Sequence, residues 1–306
     1  MLIKISDILN YLDELEEEYI FTGDKSDEII GYSSFNTYKK ETITWIRSQN
    51  IFDNGQSNTE HPIKLLIAPL KFNSDFKIIL NCIKTENPHR VFFYILKYFF
   101  SNKKPHPSHG KNSIISSSAR IEGNVDIGNN CVVGEQVEIG YGTKISDNVV
   151  IKNNVKIGKN CLIQAGAIIG EDGFGFLVTK QGARERVQHL GGVIIGDNVE
   201  IGSQTCIVRG VMEDTIIADG SKVDNLCHIA HNVRIDENCV IVACSEVSGS
   251  VHIGKGSWLG PNCSIIDGID IGEGCCIGVG SVVTKSLPPN VVAAGSPARI
   301  LRKNEK

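Results

Sequence analysis

The fold is decided by stretches such as ISDNVVIKNNVKIGKNCLI, residues 145 to 163, in which an aliphatic residue returns at every sixth position. The same spacing runs from Ile115 to Val283 with two breaks. A period of six matches neither the 3.6 residues of a helical turn nor the two-residue alternation of a strand. It is typical of a repeat protein whose short strands coil around a narrow core, each turn buried by its neighbours.

Slim residues two places before the repeat aliphatics are expected to share that core. Cysteine takes this position at Cys131, Cys161, Cys227, Cys239, Cys263 and Cys275. Their separations are multiples of six, so we interpret them as buried, reduced side chains rather than as metal ligands or disulfides. Gly and Asn are expected at the bends, where the backbone requires a positive φ.

Composition narrows the functional classes. The 306 residues carry a formal charge of −4 with a pI near 6.1, which gives no electrostatic footprint for nucleic acid. No stretch approaches the roughly 20 apolar residues that span a membrane, and the first residues lack the apolar core of a signal peptide. We therefore expect a cytoplasmic protein without a membrane span, with room for one large and one small domain.

The chain is predicted to divide into three segments. Residues 1–103 are expected to form a small α/β domain, residues 104–287 the repeat domain and residues 288–306 a C-terminal tail, with a proline-containing linker at 103–108. In the first domain we expect an amphipathic helix at 6–12 capped by Ser6. Short strands are expected at 29–32, 41–47 and 64–68, and a second helix at 87–100.

The repeat breaks at two places. Ile169 and Ile195 are 26 residues apart, and Ile207 and Ile217 are 10 apart, where six would keep the register. The extra residues fall within 171–191 and 209–214. Because loops extruded from a rigid scaffold commonly carry function, we expect the functional site near these insertions.

His231 and Gly249 are the residues best suited to chemistry in the repeat domain. His231 follows the repeat position Ile229 by two and should lie where a strand meets a corner. A neutral imidazole there can take a proton near neutral pH, although a surface histidine is more often structural. Gly249 stands eighteen residues later, and a backbone N–H with no side chain beside it can hydrogen-bond an oxyanion.

Four motifs then occur in a recognisable order: Gly170-Glu171-Asp172-Gly173-Phe174-Gly175; Gly192-Val193-Ile194-Ile195-Gly196-Asp197; Arg209-Gly210 with Asp214-Thr215-Ile216-Ile217; and Asp224-Asn225 leading to Ile229-Ala230-His231-Asn232. They resemble the N-acyltransferase family of lipid A synthesis, which acylates the amine of UDP-3-O-acylglucosamine. The resemblance covers the repeat domain to about residue 260 and, more weakly, the N-terminal domain. It implies a mainly β fold, a left-handed parallel β-helix, and a homotrimer with active sites between subunits.

The resemblance also implies roles for individual residues. His231 is expected to be the general base, with Asn232 beside it in the catalytic group, and the Gly249 N–H to be the oxyanion donor. Trp45 takes the place of the family's aromatic residue that stacks on the nucleotide base, while the rest of the family's Phe-x-x-Asn-x-x-Tyr motif appears as Ser48 and Ile51. Substrate contacts are expected from Trp45, Ser48, Asp172, Phe174, Phe176, Asp224, Asn225 and His228.

The C-terminal part departs from that family. A second family histidine expected near Asp267-Gly268 is absent, and so are the long helices that engage acyl carrier protein. Residues 280–299 instead resemble the CoA-dependent sugar acetyltransferases, whose tail lies along pantetheine. Acyl-CoA contacts are therefore expected from Gly249, Lys285, Gly295, Pro297, Arg299 and Arg302, with no metal. Alternatively, the basic residues are only a solvated end.

These features predict a transferase that moves an acyl group from acyl-CoA to the amine of a dTDP- or UDP-linked amino-deoxysugar of surface polysaccharide synthesis, as the N-acyltransferase of the anthrose pathway does. The first alternative is the lipid A enzyme itself, with acyl carrier protein as donor. A metal-dependent hydratase of the γ-carbonic anhydrase kind would use His228, His231 and His252 as ligands, although their neighbours do not match that family. A non-catalytic nucleotide-sugar sensor is the third alternative.

Overall fold

The computed structural model describes residues 2–55, 61–73, 77–101 and 109–305. It divides into two compact units, Met1–Lys104 and Pro105–Lys306, and each is described by itself. The predicted linker at 103–108 lies outside the described residues.

The N-terminal unit is a five-stranded sheet with helices packed on it. Its order is β2-β7-β6-β5-β4, in which β4 to β7 run parallel and β2 is antiparallel to β7. The strands are β2 (Tyr19–Thr22), β4 (Gly31–Tyr32), β5 (Thr42–Trp45), β6 (Leu65–Pro69) and β7 (Cys82–Thr85), while β1 (Ile3–Lys4) pairs separately with β3 (Glu28–Ile29). The helices are α1 (Ile5–Glu14), α2 (Gln49–Gly55) and α3 (Pro88–Ile95), with a 3₁₀ turn at Phe35–Thr37 and a π-helical turn at Leu96–Phe100.

The boundaries of two predicted helices differ from the structure. Helix α1 begins at Ile5 with Lys4 as its N-cap, so Ser6 lies inside the first turn and the predicted Ser6 cap is wrong. Burial of Ile5 and Ile8 against the sheet sets the start instead. The predicted helix at 87–100 is α3 followed by the π-helical turn. Asn87 caps α3 by accepting a hydrogen bond from the Arg90 N–H.

The second unit is a parallel β-helix with three faces, which the chain visits in turn as faces 1, 2 and 3. Face 1 contains β8 (Ile114–Ile115), β11 (Val132–Val133), β14 (Val150–Ile151), β17 (Ile168–Glu171), β22 (Cys206–Val208), β25 (His228–Ile229), β28 (Glu246–Val247), β31 (Ser264–Ile265) and β34 (Val282–Val283). Face 2 contains β9 (Arg120–Ile121), β12 (Glu138–Ile139), β15 (Val155–Ile157), β20 (Val193–Ile195), β23 (Thr215–Ile217), β26 (Arg234–Ile235), β29 (His252–Ile253) and β32 (Asp270–Ile271).

Face 3 completes the coil. It contains β10 (Asp126–Ile127), β13 (Lys144–Ile145), β16 (Leu162–Ile163), β21 (Glu200–Ile201), β24 (Lys222–Val223), β27 (Val240–Ile241), β30 (Trp258–Leu259), β33 (Cys276–Ile277), β35 (Val291–Gly295) and β36 (Ala298–Lys303). A separate hairpin of β18 (Phe176–Val178) and β19 (Arg184–Arg186) projects from the coil within the first insertion.

The core follows from the repeat. Its aliphatic residues stack in register on successive turns, as Val133 does on Ile151, and are buried. Hydroxyls and thiols alternate in the slim positions: Ser257 accepts a hydrogen bond from the Cys275 N–H at 3.1 Å and donates one to the Gly272 carbonyl at 2.9 Å. The core cysteines are reduced and buried, and burial raises the pKa of Cys239 to about 11. They are therefore packing residues.

The bends use the left-handed backbone region, where asparagine and glycine are the commonest residues. Asn130, Asn148 and Asn160 have φ between 53° and 60°, where Asn is tolerated better than most residues. Leu226, at φ 59°, is an exception and gains no such side-chain advantage.

The C-terminal segment is part of the coil, which corrects the prediction of a tail from residue 288. Leu287 pairs with Ile271 of face 2, and β35 pairs with β33 of face 3. Strand β36 then folds back antiparallel on β35. Leu287, Val291 and Ala293 belong to the buried core, so apolar burial extends the domain past the predicted boundary despite Pro288 and Pro289. Among the described residues no helix is long and apolar enough to cross a membrane.

Candidate active site

One corner of the β-helix, between faces 1 and 2, collects the features that the sequence singled out. The first insertion leaves after β17 on face 1 and returns at β20 on face 2, and the second leaves after β22 and returns at β23. His231 connects β25 to β26, and Gly249 connects β28 to β29. Strands β17, β22, β25 and β28 are consecutive on face 1. Both insertions, His231 and Gly249 therefore occupy the same corner on four successive turns.

The imidazole of His231 is oriented by the next residue. Its Nδ1 lies 3.1 Å from Oδ1 of Asn232. An amide oxygen can only accept a hydrogen bond, so Nδ1 of the neutral ring carries the proton and Nε2 keeps its lone pair. The His231 ring is half-buried, which leaves part of it open to a ligand. This arrangement suits a general base.

Asn232 is held in turn by the second insertion. Its Oδ1 also accepts a hydrogen bond from the Val211 N–H at 3.1 Å, and its Nδ2 donates to the Glu213 carbonyl at 3.2 Å. The Asn232 N–H donates to Thr215 Oγ1 at 2.9 Å. Both ends of the amide are thus fixed, and the insertion at 209–214 acts through Asn232 to set the tautomer of His231.

Gly249 lies directly against the His231 ring. A Cβ atom added at Gly249 would come within 2.5 Å of Cε1 and 2.7 Å of Nε2 of that ring, so only glycine fits. Within the described residues, the Gly249 N–H makes no hydrogen bond to another backbone or side-chain acceptor. A buried, unpaired N–H beside a candidate base can donate to an oxyanion.

The first insertion places aromatic residues beside this corner. Phe174 and Phe176 meet edge to face with ring centroids 4.9 Å apart, and Phe174 is 88% exposed. The guanidinium of Arg186 lies 5.4 Å from the centre of the Phe176 ring and donates to the Gly173 carbonyl. Apart from its contact with Phe176, the Phe174 ring presents an exposed apolar surface.

Arg209 ties the two insertions together. Its Nε donates to the Gly170 carbonyl, and one terminal nitrogen donates to the Asn153 carbonyl, both at 2.8 Å. The same guanidinium lies 3.6 Å from the Asp172 carboxylate. Beside it, the Asp172 N–H and the Lys152 ammonium lower the pKa of Glu171. The first residues of both insertions are therefore connected by hydrogen bonds.

His189, which the sequence did not single out, also lies at this corner. Its ring meets that of His231 edge to face, with centroids 5.6 Å apart, and is 3% exposed. His189 lies inside the first insertion, where the six-residue period gives no indication of burial.

Three predicted substrate residues lie elsewhere. Asp224 and Asn225 follow β24 and precede β25, which places them at the corner between faces 3 and 1. Asn225 accepts a hydrogen bond from the Ser203 N–H, so its side chain supports the neighbouring turn. His228 points outward from β25 on face 1 and is exposed. Within one chain Asp224 and Asn225 are separated from the His231 corner by the width of face 1, whereas His228 lies on that face.

In the N-terminal unit, Trp45 lines an open cavity of about 240 Å³ at the carboxyl end of β5. Carboxyl ends of parallel strands are a common place for ligand sites. The Trp45 ring meets the His89 ring edge to face, with centroids 5.1 Å apart. The other residues lining the cavity are Ser34, Phe35, Asn36, Ile46, Arg47 and Ile51; Ser48 is not among them.

The residues predicted to contact CoA follow the last turns. Lys285 is exposed in the connection before β35, Gly295 and Pro297 form the turn of the β35–β36 hairpin, and Arg299 and Arg302 are exposed on β36. The guanidinium groups of Arg299 and Arg302 donate only to the carbonyls of Ala298 and Lys303 in the described part of the chain.

The three histidines that the metal-dependent hydratase would use as ligands do not lie together. Nε2 of His252 lies 2.9 Å from Asp236 on face 2, while His231 is bound to Asn232. No group of three His, Cys, Asp or Glu side chains suited to a metal ion occurs among residues 2–55, 61–73, 77–101 and 109–305.

Comparison with known proteins identifies the class of enzyme to which the chain belongs. Residues 137–171, 214–249 and 250–285 match the bacterial transferase hexapeptide family (six repeats). The structure of UDP-N-acetylglucosamine O-acyltransferase (LpxA) from Moraxella catarrhalis RH4 superimposes with a TM-score of 0.57 at 29% identity, covering 63% of this chain and 74% of that one. The chain is a hexapeptide-repeat transferase, and the predicted left-handed parallel β-helix is confirmed.

The family follows from the relatives. The UDP-3-O-acylglucosamine N-acyltransferase of Campylobacter lari is 35% identical over 311 aligned residues, which cover 96% of this chain and 93% of that protein. A relative of the same name from Methylobacterium nodulans is 41% identical over 142 residues, where the match spans only 40% of its length. The chain belongs to the UDP-3-O-acylglucosamine N-acyltransferase family.

Proposed function

We propose that the protein transfers an acyl group from a thioester to the amine of a nucleotide-linked amino sugar, with His231 as the general base. The observation that carries the proposal is the arrangement at one corner: a histidine with its tautomer fixed by Asn232, packed against the unpaired N–H of Gly249. The family membership supports the same reaction type.

The proposed reaction has two stages. In the first stage the amine nitrogen attacks the thioester carbonyl carbon, and Nε2 of His231 takes a proton from that nitrogen. The carbonyl oxygen becomes an oxyanion, which accepts a hydrogen bond from the Gly249 N–H. The tetrahedral intermediate then collapses, the carbon–sulfur bond breaks, and the leaving thiolate recovers the proton from His231. The products are an amide and a free thiol.

For the acceptor, the name shared by the relatives favours UDP-3-O-acylglucosamine over a dTDP- or UDP-linked amino-deoxysugar. Trp45 offers an indole face for stacking on the pyrimidine base in the N-terminal cavity. Arg47, exposed beside it, adds a positive charge near the phosphates. The phenylalanine and asparagine of the family motif are replaced by Trp45 and Ser48, so a related sugar nucleotide remains the second candidate.

The two candidate functions differ most in the acyl donor, which is either acyl-CoA or acyl carrier protein. Acyl-CoA is favoured by the exposed guanidinium groups of Arg299 and Arg302, whose side chains face solvent without a carboxylate partner within the described residues. Phosphates of CoA would supply such partners. Acyl carrier protein is the donor of the first alternative.

The proposal includes a homotrimer. Ile114, Val132 and Ile168 expose apolar side chains along face 1, a surface that a second copy would cover. Three chains of 33.4 kDa give a mass of about 100 kDa, which sedimentation would measure directly.

The experiment is a matrix of donors and acceptors. Acyl-CoA and acyl carrier protein thioesters are each combined with UDP-3-O-acylglucosamine and with dTDP- and UDP-linked amino-deoxysugars, and amide formation is followed by mass spectrometry. An Arg299→Gln/Arg302→Gln variant keeps the β35–β36 hairpin and removes its charge. If CoA is the donor, we expect its KM to rise about tenfold or more, since each charge-assisted hydrogen bond contributes roughly 1.5–3 kcal/mol before screening.

The KM for the sugar nucleotide should not change in that variant. Activity with acyl carrier protein alone, unaffected by the double substitution, would reject acyl-CoA and assign the chain to the lipid A reaction. Binding of sugar nucleotides without turnover of any thioester would favour the non-catalytic sensor.

A further inference from the structure

His189 is a buried histidine that the proposed reaction does not use. Its Nδ1 lies 3.0 Å from the Val187 carbonyl, and since a carbonyl only accepts, Nδ1 is the protonated nitrogen of the neutral ring. Its Nε2 is buried and has no hydrogen-bond partner among the described residues. One nitrogen thus anchors the ring, and the other is left unpaired.

An unpaired buried nitrogen destabilises a fold, because it loses its hydrogen bond to water without replacement. An apolar side chain of similar size would fill the same space without that penalty. Purely structural packing therefore does not account for an imidazole at this position. Unexplained polar groups of this kind are found at functional sites.

The surroundings of His189 connect the first insertion to the candidate base. A Cβ atom at Gly173 would lie 2.4 Å from Nε2 of His189, so the Gly173 backbone packs directly on that side of the ring. The ring also meets the His231 ring edge to face at 5.6 Å. Because His231 is packed on Gly249 as well, its ring has contacts from two separate segments in addition to the hydrogen bond to Asn232.

We propose that His189 is a positioning residue: its ring holds the imidazole of His231 in the orientation in which Nδ1 reaches Asn232 and Nε2 faces the acceptor amine. This inference rests on the proposed function of His231 and adds a residue that the repeat does not contain. Anchored by Val187 and packed under Gly173, His189 makes the orientation of the base depend on the first insertion being in place.

Two variants separate this role from simple support of the insertion. His189→Asn keeps an N–H where Nδ1 was, so the bond to Val187 survives while the part of the ring that meets His231 is lost. His189→Phe keeps an aromatic ring and loses the bond to Val187. If the anchored ring positions His231, the Asn variant should lower kcat by on the order of 10- to 100-fold with KM nearly unchanged, and the Phe variant, whose ring has lost its bond to Val187, should lower kcat by a smaller factor.

The matched control is His252→Asn on face 2, which should leave kcat within about twofold because, in the described part of the chain, the polar contacts of the His252 ring are with Asp236 and Asp270. If His189→Phe does not fold, the kcat of His189→Asn relative to wild type still tests whether His189 positions His231. A kcat for His189→Asn within twofold of wild type, or an effect confined to KM, would overturn the proposal.

A second readout does not depend on turnover. Nitrogen-15 NMR of labelled histidines should show His231 in the Nδ1–H tautomer in the wild type, and averaged nitrogen shifts for His231 in His189→Asn. Unchanged His231 shifts in the variant would overturn the positioning role even if the acyl acceptor is still unidentified. Full activity of His231→Ala would instead overturn the proposed function, whatever the NMR result.

Discussion

At the scale of single residues, Gly249 offers the sharpest test of the site. Its backbone lies outside the left-handed region, so alanine meets no backbone strain there, and the obstacle to a methyl group is the His231 ring at 2.5 Å. We expect Gly249→Ala to displace the imidazole and lower kcat by on the order of 10²-fold with little change in Tm.

Gly123→Ala is the matched control for Gly249→Ala, because a methyl group there meets nothing closer than the Tyr141 ring at 3.8 Å. Steady-state kinetics and thermal unfolding of both variants make the comparison. Normal turnover of Gly249→Ala would separate Gly249 and His231 from the reaction.

Trp45 tests the nucleotide site at the same scale. If its indole stacks on the pyrimidine base, Trp45→Ala should raise the KM for the sugar nucleotide by an amount equivalent to about 0.5–1.5 kcal/mol, while Trp45→Phe should keep much of the affinity. Trp45 also packs on His89 and Phe92, so unfolding of each variant is measured alongside. An unchanged KM in a folded Trp45→Ala protein would make Trp45 a packing residue only.

At the scale of the structural element, Leu226 is an unfavourable residue in a bend of the β-helix. Leu226 has a φ of 59° and is 56% exposed, so its side chain gains little burial in return for a left-handed backbone. Leu226→Asn should stabilise the protein by about 1 kcal/mol, because asparagine visits this region at lower cost. Denaturant unfolding measures the change. Loss of stability in this variant would mean that the Leu226 side chain contacts a second copy of the chain.

The period of six predicts the strands of the β-helix well, since each aliphatic position must face the core. The period also predicts that both insertions and His231 share one corner. With three strands per turn, each of them follows a strand of face 1 when the strands are counted from Ile151. His189 lies between repeats, where no period applies, so its burial depends on contacts with Gly173 and His231 that a sequence does not display. The last turn was missed because Pro288 and Pro289 interrupt the pattern while Val291 and Ala293 still enter the core.

In the N-terminal unit, short strands with mixed side chains gave a weaker pattern. Strand β5 falls within the predicted segment 41–47 and β6 overlaps the predicted segment 64–68, but β2 and β7 were not predicted. The partners of Trp45 depend on how α3 packs on the sheet, and the predicted Ser6 cap failed because burial of Ile5 extends α1 by one residue. Tertiary packing overrides local propensity at both places.

At the scale of the whole molecule, each of the two units contains one tryptophan, Trp45 or Trp258, so their unfolding can be followed separately. In the N-terminal unit, hydrogen bonds from Lys64 and Asn81 lower the pKa of Asp27 below its ordinary value of 3.8. A lowered pKa in the folded state adds stability that is fully present above the ordinary value and is lost as the pH falls through the folded value.

We therefore expect Asp27→Asn, in a Trp258→Phe background, to lower the stability of the N-terminal unit at pH 7. The difference from wild type should shrink as the pH falls below 3.8. Urea unfolding followed by Trp45 fluorescence at pH 7 and at pH 3 measures it. A difference that does not depend on pH would show that Asp27 acts through packing rather than through its charge.

The measurement that tests the central claim most directly is the identity of the bond formed. The protein is incubated with an acyl thioester and either UDP-3-O-acylglucosamine, which has a free amine, or UDP-N-acetylglucosamine, whose amine is already acetylated and whose hydroxyls are free, and the products are assigned by mass spectrometry and NMR. We predict an amide from the amine substrate, no ester from the other, and a loss in kcat of roughly 10²–10⁴ in His231→Ala. Formation of an ester on UDP-N-acetylglucosamine, or near-normal amide formation by His231→Ala, would contradict the account.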